Sequence, residues 1–385
     1  MFHLLLVIIY LSFISLGLPD GLLGAAWPVI YPEMNVPVSY SGIIFMIISA
    51  GTVVSSLQSD RLTKRFGTAK VTAVSVGITM IALFGFASCH SFLMFCLWAI
   101  PYGLGAGSVD ASLNNYVALH YESKHMSWLH CMWGIGATAG PYIMGMVLNR
   151  GMIWNTGYRI VGSIQLVLTV LLFVSLPVWK QSGSQNLSED TSKAPLRLKE
   201  IFRIPGAKEI MITFFCYCAL EQTAGLWAAS YLVINRNMNV EAAAKFSALF
   251  YLGITLGRFI NGFIAMRLKD HEMIRMGFLT IAVGILLILL PAGQTCALIG
   301  LIIVGLGCAP VYPCIIHSTP EHFGADNSQS LIGVQMASAY IGITLMPPLF
   351  GLIADHIAIA LFPEFLLALF LLMSVMYYKM KRERP

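Results

Sequence analysis

A few ionisable side chains stand inside long runs of apolar residues, and each such placement asks for a chemical reason. Asp20 lies between Pro19 and Gly21, Asp110 lies four residues before Asn114, Glu221 is followed by Gln222, and Arg258 follows Gly257. His130 and His317 have comparable surroundings. An ionisable group in an apolar medium is costly, so its retention points to function. Spacing places Asp110 and Asn114 on one face of a helix, one turn apart. A carboxyl that gains and loses a proton, and also accepts a hydroxyl, can couple the two events. We assign that role first to Asp110 and second to Asp20. Gly17, Pro19, Gly21 and Gly24 mark the segment around Asp20 as kinked, with backbone available to a ligand. The competing readings are an Asp110 that locks its helix to a neighbour and an Asp20 that faces a water-filled vestibule.

The other candidates also carry two readings each. Glu221 with Gln222 can bind two neighbouring hydroxyls, or can clamp two helices. Trp227 can stack on a sugar ring, or can belong with Trp27 to an aromatic belt at the membrane interface. Arg258 can bind an anion, but buried arginine calls for a counter-charge, so a structural pair is favoured. His130, Trp133, His317 and Gln335 either line a cavity or satisfy helix contacts.

The elements that must hold these groups are membrane helices. Of 385 residues 57% are hydrophobic and 11% charged, against roughly 25% charged in a soluble domain. Mean hydropathy is +0.77. Apolar runs long enough to cross a bilayer recur along the chain, and their unbroken character favours helices over barrel strands. The first run, from Phe2 to Ile30, lacks a basic start and runs on too long for a signal peptide, so it reads as a span. Breaks at Pro, Gly, Asn and charge clusters predict twelve helices near 3–30, 39–60, 68–88, 92–120, 127–148, 158–179, 208–235, 241–266, 272–291, 295–319, 328–355 and 360–379. The polar stretch 181–207 separates an N-terminal half, 1–180, from a C-terminal half, 208–385. With both termini inside, 18 of the 23 Lys and Arg are cytoplasmic and 4 are external, with Arg258 left in a span. The net charge of +5 reflects this orientation rather than nucleic-acid binding.

The halves repeat. Ser41, Gly51 and Arg61-Leu62 recur as Ser247, Gly257 and Arg267-Leu268 (41 to 247, 51 to 257, 61 to 267), and Gly136, Pro141 and Gly145 recur as Gly342, Pro347 and Gly351. Two parallel six-helix bundles related by a pseudo-twofold axis follow, with a substrate site between them and alternating access by rocking. Several activities are excluded. The eight cysteines show no metal-ligand or redox spacing, and Cys216 and Cys218 diverge on a helix. Gly103–Gly107 has no preceding strand and no following Lys-Ser/Thr, so it serves close helix contact rather than phosphate binding. No catalytic constellation suggests an enzyme, and no long soluble domain suggests a sensor.

Asp60-Arg61, then Arg65-Phe66-Gly67 and Lys70, resembles the cytoplasmic loop motif of the major facilitator superfamily, with Ser56 at a usual glycine. The resemblance implies a gating role for Asp60, Arg61 and Arg65. Helix 4 reads Gly105-Ala-Gly-Ser-Val-Asp110-Ala-Ser-Leu-Asn114-Asn-Tyr, and helix 5 reads Leu129-His130-Cys-Met-Trp133-Gly134-Ile-Gly136. With Glu221-Gln-Thr-Ala-Gly225-Leu-Trp227 and Tyr251-Leu-Gly-Ile-Thr-Leu-Gly257-Arg258, they resemble the fucose permease-like branch, which includes sugar–proton symporters and sodium-dependent glucose transporter-like proteins. The resemblance implies an all-α membrane fold and a proton-coupled importer of a monosaccharide or similar polyhydroxylated solute. It places Tyr251 with the substrate-binding set. A sodium-coupled symporter and a proton-driven exporter of hydrophobic or cationic compounds are the alternatives. We expect no cofactor beyond the coupling ion, a monomer in the lipid bilayer, and a cell inner membrane with both termini cytoplasmic.

Overall fold

In a bilayer each backbone amide must find its partner within the chain, and an α-helix does this locally. The computed structural model describes residues 2–37, 40–181, 196–238, 240–290 and 293–383, and among them every long element is helical. The elements are α1 (Phe2–Gly17), α2 (Leu22–Glu33), α3 (Ser41–Phe66), α4 (Thr68–Ala87), α5 (Phe92–His120), α6 (Ser123–Asn149) and α7 (Trp154–Gln181). A short α8 (Leu198–Ile201) precedes α9 (Ala207–Ile234), α10 (Val240–Ile264), α11 (Asp270–Leu289), α12 (Gly293–Phe323), α13 (Ala325–Ile353) and α14 (Phe362–Glu383). Residues 182–195 of the expected linker, and the Tyr251 side chain, lie outside the described residues.

Ten described segments are long and apolar enough to cross a membrane. The last, Ala325–Glu383, has 59 residues; as one helix it would be about 90 Å long, three times a hydrocarbon core of about 30 Å. It breaks at a π-turn, Ala354–Ala358, into α13 and α14, two crossings. The 25 residues of α10 would reach about 37 Å, enough for another. Counting α1 and α2 as one interrupted crossing gives the twelve expected. Large apolar side chains face outward, with Leu93 and Leu279 each 68% exposed, whereas Ser49, Ser55, Ser59, Asn114 and Gln335 are buried. That distribution, apolar outside and polar inside, suits a lipid solvent.

The first crossing breaks because Pro19 has no N–H to give the carbonyl of Ser15, and Gly21 turns with φ 78° into a left-handed conformation that glycine adopts without strain. The expected loop after the second crossing is corrected. Helix α3 runs on to Phe66, and only Gly67 separates it from α4, so Asp60, Arg61 and Arg65 sit on the last turns of a helix.

The chain divides into two compact units, Met1–Tyr116 with Leu129–Pro195, and Val117–Trp128 with Leu196–Pro385. In the first, α3 and α5 approach along small residues. The Ser55 and Ser108 hydroxyls are 2.6 Å apart, Thr63 and Ser112 are 2.8 Å apart, and the Ser56 hydroxyl donates to the Gly107 carbonyl at 3.2 Å. A Cβ at Gly103 would strike the carbonyl of Ile48, and one at Gly107 the carbonyl of Thr52. The glycine run therefore lets two backbones touch, as the sequence predicts. Gly107→Val should separate α3 from α5, with about 1–3 kcal/mol lost; a lowered melting temperature and poor recovery of monodisperse protein from detergent would show it, and wild-type behaviour would contradict it. In the second unit a Cβ at Gly300 would meet the Gly284 carbonyl, so α11 and α12 touch in the same way.

Candidate functional site

In the first unit the break between α1 and α2 opens onto α6. Gly136 and Gly140 of α6 leave room for the backbone of α1 at Ile14 and Leu18. This close approach brings Asp20 beside Trp133, whose indole N–H donates to Asp20 Oδ2 at 3.0 Å. Tyr102 of α5 also hydrogen-bonds Asp20, and the charges of Asp20 and Asp110 are near enough to interact. From Asp110 a row of bonds continues. Asn114 Nδ2 donates to Asp110 Oδ1 at 2.8 Å and to its carbonyl at 3.0 Å. The amide oxygen of Asn114 is thereby left as an acceptor, and His130 Nε2 stands 3.0 Å from it, so the ring presents N–H there. Phe13 meets the His130 ring edge-on at 5.4 Å. Asp110, Asn114 and His130 are buried, at 5%, 0% and 5% exposure. Five of the residues expected from sequence thus form one cluster: Asp20, Asp110, Asn114, His130 and Trp133.

The second unit holds a separate group. The hydroxyl of Tyr217, one turn before Glu221 on α9, donates to Glu221 Oε2, and it lies 2.9 Å from the Cys308 carbonyl. Arg258 of α10 donates to the same carboxylate at 3.4 Å and lies 5.9 Å from the Tyr312 ring. Arg258 thus has the counter-charge that burial demands, as the sequence favoured. Gln222 is half-buried on the same helix. The remaining candidates make contacts of their own. Trp227 donates to the Pro347 carbonyl at 2.9 Å and meets Phe350 edge-on, which anchors α9 to α13. Gln335 pairs with Thr319 at 3.2 Å. His317 faces Asp270 at 2.5 Å and the Tyr121 carbonyl at 2.8 Å, and Ser123 donates to Asp270. Asp60 pairs with Lys64 at 3.2 Å, Arg61 reaches Gln58 at 3.3 Å, and Arg65 lies over Phe66 at 5.2 Å.

Sequence reasoning missed Tyr102, Tyr217 and Asp270. Tyr217 carried a signal, standing four residues before Glu221 on one helix face. Tyr102 and Asp270 carried none, because their partners are distant in the chain.

The description "Major Facilitator Superfamily" matches residues 9–347, with a second match over 246–385. The chain belongs to this superfamily. A yeast relative, "Bypass of stop codon protein 6" of Saccharomyces cerevisiae, is 23% identical, covering 96% of this chain and 81% of that one. The "Glucose/mannose transporter GlcP" of Bacillus subtilis is 20% identical over 79% of this chain and 77% of its own length. Among solved structures, the superfamily transporter FucP in its outward conformation is similar with a TM-score of 0.79, 16% identity and coverage of 99% and 98%. A single-residue variant of FucP, described there as the E.coli fucose:proton symporter, gives 0.74 at 16% identity over 100% and 98%. These likenesses show the fold. Membership in the superfamily makes the protein a multi-pass membrane transporter of small molecules and not an enzyme.

Proposed function

We propose that the protein is a proton-coupled symporter that imports a monosaccharide or similar polyhydroxylated solute by alternating access. The observation that carries this reading is the buried row Asp110–Asn114–His130 with Asp20, Trp133 and Tyr102 beside it. Two carboxylates that feel each other's charge in a low-dielectric interior are relieved when one takes a proton. Their partners, an amide, an imidazole, an indole and a phenol, are groups that bind hydroxyls. A solute that displaces one of these hydrogen bonds changes what the carboxylate meets, and with it the proton. Arg258 is matched by Glu221, so the second unit adds no net positive charge there, which favours a neutral solute over an anion. The similar Bacillus and E.coli proteins, a glucose/mannose transporter and a fucose:proton symporter, support the same reading.

In this reading residues 1–180 and 208–385 are the two halves, joined by the cytoplasmic linker 181–207, with Gln222, Tyr251, His317 and Gln335 completing the solute contacts. The protein works as a monomer in a cell inner membrane with both termini cytoplasmic. The test is uptake into proteoliposomes over a panel of radiolabelled sugars, with proton and sodium gradients imposed separately. Accumulation of one sugar driven by an inward proton gradient is expected. Accumulation driven by sodium with no proton flux would sink proton coupling, and protection against dyes with no sugar flux would favour export.

A further inference from the structure

The turn between α5 and α6, Val117–Trp128, belongs to the second compact unit, although the helices that carry it belong mostly to the first. Three side-chain contacts tie it there. The Ser123 hydroxyl donates to Asp270 Oδ1 at the start of α11. The Tyr121 carbonyl lies 2.8 Å from His317 Nε2 of α12. The Trp128 indole donates to the Phe259 carbonyl of α10 at 3.3 Å, and its ring fills the space over Gly262. The other nitrogen of His317, Nδ1, stands 2.5 Å from Asp270 Oδ2. The side chains of His317 and Asp270 are 19% and 10% exposed, so water is a poor substitute for these partners.

The two nitrogens of His317 thus face two acceptors. A carbonyl only accepts, so Nε2 carries a hydrogen toward Tyr121. A neutral imidazole has no second N–H to give Asp270. Two bare lone pairs would then oppose each other at 2.5 Å. The contact therefore holds one further proton, on the ring or on the carboxyl. With the turn undocked, that proton is not needed. The single N–H of a neutral ring turns to Asp270, and Nε2 is left to water. Docking the turn takes up a proton that the undocked pair can do without.

We propose that Asp270 and His317 form a proton switch that locks the α5–α6 turn into the second unit. Below about pH 6.5 an ordinary imidazole is already charged, so the docked turn is at its strongest there. As pH rises beyond that, docking costs a proton and weakens, by up to about tenfold per pH unit for one proton. Other ionisable groups adjoin the pair: Glu321 acts on His317, and Cys314 of α12 and Tyr377 of α14 act on Asp270. On the turn itself Glu122 pairs with Lys124 at 2.7 Å, and His125 meets the rings of Tyr121 and Trp128. Both nitrogens of His317 are engaged while the turn is docked, so a solute reaches them only after its release. The switch goes beyond the proposed sugar symport and does not depend on it, because docking is read with no solute present.

The test is hydrogen–deuterium exchange of the full-length protein in detergent, followed by mass spectrometry of peptides covering 117–128. Rates are corrected for the pH dependence of free-amide exchange. Protection of this turn should fall by about tenfold or more between about pH 6 and pH 9, while peptides from α9 stay unchanged. In Asp270→Asn the new amide donates to Nδ1 and still accepts from Ser123, so docking needs no added proton. Protection of the turn should then persist to high pH with its slope gone. His317→Gln, which has no titrating ring, should also lose the slope. A wild-type turn equally protected at both pH values would overturn the proposal. A wild-type slope retained in either variant would assign it to another group, such as His125, and would overturn the proposal as well. None of these outcomes bears on sugar uptake, which the proteoliposome experiment reads separately.

Discussion

Asp110→Asn should leave a protein that folds but no longer accumulates solute against its gradient. The side chain is 5% exposed, accepts from Asn114 at 2.8 Å and lies near the Asp20 charge. The replacement amide has the same size and still offers an oxygen to Asn114, so the α5 backbone and its contact with His130 need not move. What it lacks is an exchangeable proton. With one proton per solute, a gradient of one pH unit sustains about tenfold accumulation, since every 1.4 kcal/mol is tenfold. In wild-type proteoliposomes accumulation should therefore climb as the external pH falls below the internal pH. In the variant it should stay at equilibrium at every pH, while exchange of labelled for unlabelled solute continues. Undiminished proton-driven accumulation would remove Asp110 from the coupling step and leave Asp20 to carry it.

The second large effect concerns stability. Glu221 receives the Tyr217 hydroxyl and Arg258 together, and both Glu221 and Arg258 are buried in the second unit. Glu221→Leu leaves the arginine charge in an apolar interior with its carboxylate gone. Removing one partner of such a pair costs about 3–5 kcal/mol. Removing both, as Glu221→Leu with Arg258→Leu, should be far milder, because two apolar side chains of similar volume can fill the space. Thermal melting in detergent of the two single variants and the double variant closes the cycle. Additive losses would mean that the two side chains act independently, contrary to the 3.4 Å contact between them. If the double variant melts normally but transports nothing, the pair also serves the solute.

The two experiments probe different units for a physical reason. In the first unit Asp20 and Asp110 are bonded by the side chains of Trp133, Tyr102 and Asn114. In the second Glu221 pairs with the Arg258 guanidinium. The sequence contained Asp110, Glu221 and Arg258 as three similar intramembrane charges. It favoured a structural pair for Arg258 because a lone guanidinium in lipid is untenable, but it could not choose the partner. Glu221 and Arg258 are 37 residues apart on different helices, and only helix docking decides which carboxylate the arginine reaches.

The break in the first crossing was legible in Gly17, Pro19 and Gly21, because a missing N–H and a left-handed turn are local properties. That the break faces Trp133 was not, since it depends on Gly136 and Gly140 letting α6 approach. The second motif was misjudged locally. Charges at Asp60, Arg61 and Arg65 suggested a loop, yet Asp60 is buried and paired with Lys64 one turn on, and α3 continues to Phe66. The partners of His317, Asp270 and the Tyr121 carbonyl, were not legible either, since they lie 47 and 196 residues away in the chain.

The sequence by itself determined the solvent, the secondary structure and the inventory of unusual groups. Those follow from hydropathy, chain length across a bilayer, and the local effects of Pro and Gly. It also determined that Asp110 and Asn114 share a face, because helical periodicity is fixed. Tertiary structure alone decided which of those groups meet. Asp20 was joined to Trp133 and Tyr102, Asn114 to His130, and Glu221 to Arg258, through contacts between residues far apart in the chain. It alone brought Ser15 and Gln165 to one cavity, because α1 and α7 meet only after folding.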